Sequence, residues 1–274
     1  MTTKTTQHTN RRHRSAGCQP ADEAKPRPLG FGILSFGIYL GFGILGFGIF
    51  SPPALAQTPP QLVVFTDSTP ILIAAPQPFV EVSRNLPDTF AQRSRAVTGS
   101  GRLLAWFIPA QALKQSLIDT TPAPPRCRTL QIQVMKEMEP VRYDARTFQK
   151  LRDETLLGCA VPQITPDDAD TLFRILDLTQ VTQKAGGQKI LGAADLGQDS
   201  FTLCVAVSAE GADRMGGRQI ETTITCVTYA LIKEKILLLT VTAPEMSAPE
   251  LRNTMRLTAE WLWILRTQNP KPKT

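Results

Sequence analysis

Histidine is almost absent from this chain: its 274 residues include two, His8 and His13, and both lie in the first 13 positions. Beyond them no imidazole is available for Ser-His-Asp or Cys-His catalysis, or for the His ligands of zinc, copper and haem sites. The Gly-x-Ser-x-Gly and Ser-x-x-Lys motifs of serine enzymes are also missing from residues 57–274. We therefore predict no catalytic, cofactor-binding or metal-binding residues and no cofactor.

Charged residues are missing from the run of mainly Gly, Phe, Ile and Leu between Leu29 and Phe50. Six basic and two acidic residues precede this run, and Ala54-Leu55-Ala56 follows it after two prolines. This order is typical of a secretory signal peptide with an Ala-x-Ala cleavage site. We predict that residues 1–56 are a signal peptide cleaved after Ala56, so that the protein is periplasmic or secreted, with no stable membrane insertion. The alternative is a retained membrane helix, since 22 uncharged residues can span a bilayer.

A strong net charge is also missing once this leader is set aside. The whole chain has 30 basic and 24 acidic residues and a formal charge of +6. Subtracting the leader's six basic and two acidic residues leaves 24 and 22. Such a nearly neutral chain has no basic field of the kind that binds nucleic acid. We therefore expect no nucleic-acid partner.

Four cysteines follow the leader, at positions 127, 159, 204 and 226. An even number in an oxidising compartment favours disulfides, and these spacings are too long for CxxC redox or zinc pairs. Cys204 and Cys226 are equidistant from Met215, which lies in the glycine-containing segment 211–217. A hairpin that turns there would place them directly opposite each other, so we predict a disulfide between Cys204 and Cys226. The alternative is that the cysteines are buried free thiols that act as small apolar side chains.

Proline is concentrated just after the leader. Residues 57–84 contain five prolines and two short β-prone runs, 62–65 and 71–74. We interpret 57–84 as a proline-rich extended arm that could pair with a sheet edge. Residues 85–269 then form a single domain, and 270–274 form a tail.

Hydrophobic periodicity and capping residues define the elements of that domain. Helices are predicted at 85–96, 109–118, 144–157, from 165, and 247–267. Strands are predicted at 102–108, 129–136, 189–196, 200–208, 219–232 and 236–243, of which 129–136 alternates as a half-buried strand does. The fold class is α+β: a largely antiparallel β-sheet with helices packed on it, an α/β sandwich that ends in a long C-terminal helix.

The run from Lys189 to Leu265 carries a resemblance to a known fold. It is a β-meander whose last strand, 236–243, passes into a long capped helix. This order resembles the closing half of the Mog1/PsbP-like fold, which occurs in small exported bacterial proteins of unknown role. The resemblance covers the C-terminal third of the chain and rests on the order of elements. It implies a binding or assembly accessory with no catalytic residues to carry over.

Trp263 is the unusual residue of the last helix. At 100° per residue it faces away from the apolar stripe and lies near Arg252 and Arg256. A tryptophan between arginines on a polar face could anchor a partner. The alternatives are that the arm or a loop covers it, or that it stacks on an arginine.

An acidic cluster precedes this helix, at positions 167, 168 and 170. A cation site is one interpretation, but the spacing lacks the glycine and distal glutamate of a calcium loop. We favour the other interpretation, that these aspartates occupy a first helical turn, where the helix dipole stabilises negative charge.

These patterns together favour a non-enzymatic periplasmic accessory or binding protein whose partner is an unknown protein or envelope component. Two alternatives stay open. Carboxylate chemistry needs no histidine, so the chain could be a carboxylate-dependent hydrolase acting on an envelope polymer. It could also be an envelope structural protein whose N-terminal arm pairs with another chain by β-augmentation.

Overall fold

A seven-stranded antiparallel sheet forms the centre of the protein. The computed structural model describes residues 62–97, 101–118, 127–176, 178, 181, 186–212 and 218–270; the predicted signal peptide lies outside them. The strands are β1 (Leu62–Thr66), β2 (Thr69–Ile73), β3 (Phe79–Glu81), β4 (Gly101–Pro109), β5 (Thr129–Met135), β6 (Gln188–Asp195), β7 (Ser200–Ala212), β8 (Arg218–Ile232) and β9 (Lys235–Thr242). The sheet order is β3-β4-β5-β9-β8-β7-β6, while β1 and β2 form a separate hairpin.

Five α-helices pack around this sheet in the described residues. They are α1 (Pro87–Ala96), α2 (Ala110–Ile118), α3 (Ala145–Cys159), α4 (Ala169–Ile175), which follows a 3-10 turn (Pro166–Asp168), and α5 (Ala248–Gln268). Antiparallel strands, packed helices and a long C-terminal helix confirm the predicted α+β class. Within these ranges, no helix combines the length and apolar content that a membrane span requires.

The larger part of the core lies between one sheet face and α5. Trp261 of α5 is fully buried, and its ring meets that of Phe107 edge to face, with centroids 6.0 Å apart. Its Nε1 donates to the carbonyl oxygen of Ala74 at 2.9 Å, so the buried indole leaves no polar atom unpaired. Truncating a tryptophan in such a place costs about 3–5 kcal/mol.

The opposite sheet face is covered by α3 and α1. Phe148 of α3 packs against Phe201, which stacks on Tyr229 with ring centroids 4.7 Å apart. Burial there raises the pKa of Tyr229 to about 12. From α1, the Arg93 guanidinium lies 5.9 Å from the centre of the Trp106 ring. Because both faces of the sheet are covered, the central strands are buried on both sides.

Strand β5 shows this consequence and corrects the half-buried strand predicted at 129–136. Gln131 and Gln133, which should face water, are 3% and 8% exposed. Their amides hydrogen-bond to each other at 3.2 Å, so a polar pair lies inside the structure. The alternation was real, but the second face is covered rather than solvated.

The predicted extended arm at 57–84 is corrected at residues 62–73, whereas β3 pairs along the edge of the sheet as that prediction allowed. Residues 62–73 form the β1–β2 hairpin, which lies beside α5 on the same sheet face. Ile71 and Ile73 are fully buried in the main core, and β3 belongs to the sheet. Period-2 alternation points these two isoleucines inward, where the burial of apolar surface outweighs the extended tendency of the neighbouring prolines.

Local helix signals agree with the structure at the capping residues. The Asp144 carboxylate accepts a hydrogen bond from the Thr147 N–H at 2.6 Å, and the Ser247 hydroxyl accepts one from the Glu250 N–H at 3.3 Å. Each bond satisfies one of the orphan donors in the first helical turn. Pro109 differs from its prediction, since it ends β4 instead of opening α2.

Candidate binding surface

The outer side of α5 carries the most prominent exposed aromatic side chain. Trp263 is 67% exposed, whereas Trp261, two positions earlier and 200° round the helix, is fully buried. The polar-side position predicted for Trp263 therefore matches the structure. Thr267, one turn further on, donates its hydroxyl to the Trp263 carbonyl oxygen at 2.9 Å.

The two arginines predicted near Trp263 contact the acidic cluster, which joins two features that the sequence left separate. Arg252 forms a very short ion pair with Asp170 of α4. Arg256 pairs more loosely with Asp167, at 3.8 Å between Nη2 and Oδ1. These contacts connect α4 and the 3-10 turn to α5.

Asp168, the remaining aspartate of the cluster, caps the 3-10 turn. One carboxylate oxygen accepts hydrogen bonds from the N–H and hydroxyl of Thr165, both at 2.7 Å, which lowers the pKa of Asp168. Across the described ranges, no group of three or more His, Cys, Asp or Glu residues is placed to hold a metal ion.

A cavity lies beside these residues, between α5, the 3-10 turn and the end of β6. Its volume is about 270 Å³. We call it the α5 groove; it is lined by Ile164, Thr165, Pro166, Ala194, Asp195, Leu196, Thr202, Met255, Arg256, Thr258 and Ala259. The lining is mainly apolar. Trp263 lies one turn beyond Ala259 on the same side of the helix, so the exposed indole flanks the groove.

The two charged residues that line the groove, Asp195 and Arg256, differ in how tightly they are paired within the protein. The Asp195 carboxylate accepts hydrogen bonds from Arg152 Nη2 and from the Gly197 N–H, each at 2.9 Å. The Arg256 side chain is 62% exposed, and its partner Asp167 is 89% exposed. Ion pairs as exposed as this contribute about 0–1 kcal/mol. Arg256 is therefore readily available to an incoming anion.

Cys204 and Cys226 lie just behind the groove. They are directly opposite on β7 and β8, as the sequence predicts, and both are fully buried; the turn expected around Met215 lies outside the described residues. Their thiols are free in the structure, and burial raises the pKa of Cys226. The adjacent pair, Thr202 and Thr228, joins its hydroxyls at 2.7 Å, and Thr202 also lines the groove. The disulfide itself stays a prediction.

The other two cysteines occupy different places. Cys127 packs against the small apolar cluster that contains Val82, Ile108 and Leu113, and burial raises its pKa to about 11. Cys159 is the last residue of α3. Both thiols are free.

A second cavity, of about 480 Å³ and open to solvent, lies between the β1–β2 and β8–β9 turns. Its ionic groups already have partners: Arg142 pairs with Glu234 at 3.5 Å, and the Lys233 ammonium donates to the Pro70 carbonyl oxygen at 3.0 Å. Glu234 is its one lining carboxylate, as Asp195 is for the α5 groove. Neither of these two cavities brings together the carboxylate pair that glycoside hydrolysis uses.

The groove is the part of the site that sequence reasoning missed. Its walls come from residues 164–166, residues 194–196, Thr202 and residues 255–259, four parts of the chain. Residues 162–164 reach the groove because they run along the outer edge of β6, where the Ile164 N–H donates to the Ala193 carbonyl oxygen at 2.8 Å. No periodicity or spacing in the sequence signals such an edge contact.

Comparisons with protein-family models and with curated proteins give no match. Two solved structures are similar. A variant of the protein Mog1 is 12% identical with a TM-score of 0.30, over 78% of this chain and 93% of that chain. The Saccharomyces cerevisiae Ran-binding protein Mog1p is 11% identical with a TM-score of 0.29, over 77% and 93%. These values amount to a weak resemblance in fold and carry nothing about binding or activity.

Proposed function

We propose that this protein is a non-enzymatic binding protein of the bacterial periplasm that holds a protein partner on the outer side of α5. The observation that carries the proposal is Trp263, 67% exposed and one turn from the apolar α5 groove. Tryptophan and arginine are the residues that most often dominate the binding energy of protein interfaces, especially beside a pocket. Trp263, Arg252 and Arg256 together supply that combination.

The alternatives gain less support from the described residues. A hydrolase needs two convergent carboxylates, and each of the two cavities described above has one in its lining. A structural protein that pairs through a free arm needs residues 62–73 to be available, and these residues are folded onto the core. The proposal therefore places the partner at the helix surface.

The periplasmic location rests on the leader. N-terminal sequencing of the exported protein should begin at Gln57, directly after the Ala-x-Ala site. A membrane-bound product that still contains residues 31–50 would overturn this part of the proposal.

Crosslinking and affinity capture from the periplasm test the binding surface. We would compare the wild type, Trp263→Ala and Leu157→Ala, because Leu157 is 80% exposed on α3 and so matches Trp263 as a large exposed apolar residue away from α5. We expect one defined protein to be captured by the wild type and Leu157→Ala and lost from Trp263→Ala. Equal capture by all three, or no specific capture by the wild type, would overturn the proposal.

A further inference from the structure

Both ends of the α5 groove are closed by polar bridges. Toward the C-terminus of α5, Arg266 donates to the Leu196 carbonyl oxygen at 3.0 Å and to the Ser200 hydroxyl at 2.9 Å. Toward the N-terminus, Arg252 contacts Asp170. These bridges lie across the path of a polypeptide that would run along the groove, so we expect an occupant to enter from the side.

The size of the groove sets how much can enter. Its volume of about 270 Å³ corresponds to about nine water volumes at ~30 Å³ each. One apolar residue, backbone included, fits within such a space. The apolar contacts come from Ile164, Ala194 and Met255, and Ala259, which is exposed, lines the groove one turn before Trp263.

Charge selects the polar part of the occupant. Arg256 lines the groove with a guanidinium that is 62% exposed and only loosely paired, at 3.8 Å, with Asp167. A guanidinium binds a carboxylate through two parallel hydrogen bonds, which is stronger than this pairing. Asp195, the opposite charge in the lining, already has both oxygens hydrogen-bonded and so does not compete for a cation.

We infer that the α5 groove receives the C-terminal residue of the partner chain, with its apolar side chain inside and its terminal carboxylate on Arg256. A chain end supplies an apolar group and a carboxylate from one residue, and it requires no continuation through the closed ends. The inference rests on the proposed function, because it identifies the part of the partner that lies next to Trp263.

Synthetic peptides provide the direct test. The probe is a fluorescein-labelled Gly/Ser decapeptide that ends in leucine with a free carboxylate, titrated against the protein purified from the exported fraction and followed by fluorescence anisotropy. Three companion peptides isolate each feature: an amidated C-terminus, a terminal serine, and an amidated peptide with an internal Leu-Glu pair. We expect the free-acid leucine peptide to bind about tenfold more tightly than each of the others.

Two variants and a matched control locate the contact on the protein. Arg256→Gln should weaken binding of the free-acid peptide about tenfold and bring it to the level of the amidated one. Ala259→Leu should block the groove by filling its open side. Arg142→Gln is the control, because Arg142 is 68% exposed and has a similarly loose ion pair, 3.5 Å from Glu234 at the second cavity; it should bind like the wild type.

Equal binding of the free acid and the amide, equal losses in Arg256→Gln and Arg142→Gln, or no binding of the leucine peptide at about 1 mM would overturn the inference. Capture of the periplasmic partner by the two variants distinguishes a failure of this inference from a failure of the proposed function. If Trp263→Ala loses the partner while Arg256→Gln keeps it, the terminal-residue inference fails and the binding surface stands. If both variants keep it, both proposals fail.

Discussion

Cys204 on β7 and Cys226 on β8 are directly opposite each other, with their Sγ atoms 2.8 Å apart. Further along the same ladder, the Leu231 N–H donates to the Asp199 carbonyl oxygen, which makes that pair a hydrogen-bonded one. Because the two kinds of pair alternate along an antiparallel ladder, Cys204 and Cys226 form a non-hydrogen-bonded pair. In such pairs the side chains are closest, which is the arrangement that a cross-strand bond between them needs.

We expect these thiols to be a disulfide in the exported protein. Exchange with the disulfide of an oxidoreductase transfers two electrons and two protons to that partner and leaves the Cys204–Cys226 bond. Closing a loop across 22 positions should stabilise the fold by about 3 kcal/mol. Non-reducing peptide mapping checks the pairing. Recovery of both cysteines as free thiols, or a link from either to Cys127 or Cys159, would contradict it.

The Ile164 side chain packs against Gly192 and leaves no room for a Cβ atom at position 192. A Cβ at position 192 would lie 2.5 Å from Ile164 Cγ2, so Gly192→Ala should cost about 1–3 kcal/mol through overpacking. Removing the Ile164 side chain as well should relieve part of that cost, which urea unfolding of the single and double variants measures. Gly158→Ala is the control, since nothing lies within 4 Å of its Cβ position. Strictly additive costs in the double variant would show that the two residues do not compete for space.

The side-chain amide of Asn269 hydrogen-bonds to the backbone of β2 in the way that a neighbouring strand would. Its amide accepts from the Leu72 N–H at 2.9 Å and donates to the Leu72 carbonyl oxygen at 2.7 Å, and it is 4% exposed. Asn269→Ala leaves both backbone groups unpaired and should cost about 2 kcal/mol, or about 4–8 °C in Tm. Asn269→Asp should also lose stability, because it cannot donate. Thr267→Ala, on an exposed position nearby, should change the Tm little; an equal drop there would contradict the assignment.

Glu139 should make the protein acid-sensitive. The hydrogen bond from Arg102 is the largest cause that lowers the pKa of Glu139 from its ordinary value of 4.5, and the Asp67 N–H and the Lys235 charge add to it. Because the folded state favours the carboxylate, this stabilisation is present above the ordinary pKa and is lost as the pH falls through the lower folded value.

The Glu139→Gln variant checks this assignment. At pH 7 it should be less stable by about 1 kcal/mol, and it should lose less stability than the wild type between pH 6 and pH 3. Thermal unfolding across that range provides the measurement. Glu154→Gln removes a more exposed carboxylate, which pairs with Lys150 at 3.8 Å, and should keep the acid response of the wild type. A Glu139→Gln curve parallel to that of the wild type would exclude a role for Glu139.

Local chemistry explains which elements the sequence could predict. The caps at Asp144 and Ser247 depend on residues three positions apart, and the β7–β8 register was predicted from residues 204–226 alone, so short segments contain the necessary information. The β1–β2 hairpin was not predicted, because the five prolines of residues 57–84, Pro70 among them, favour an extended arm. Pro70 shares the parity of Leu72, whose N–H points away from β1, so the strand needs no N–H at position 70.

The candidate site likewise contains one feature that local sequence predicts and others that it does not. The outward position of Trp263 follows from helical periodicity alone. The groove beside it does not, because Ile164 and Leu196 reach α5 only after residues 162–164 dock along the edge of β6. Likewise, the partners of Arg252 and Arg256 lie more than 80 positions earlier in the chain. Long-range packing decides both features.

The hydrogen bonds between Asn269 and Leu72 and between Trp261 and Ala74 span 197 and 187 positions. The N-terminal hairpin is therefore synthesised long before the residues that it contacts. A chain that emerges N-terminus first, from a ribosome or from a translocation channel, presents the β1–β2 hairpin long before the helix that closes it. Until α5 arrives, Ile71 and Ile73 have no complete core to enter. The hairpin therefore reaches its native contacts only after α5 has been made, and before then its apolar side chains must be kept from aggregating.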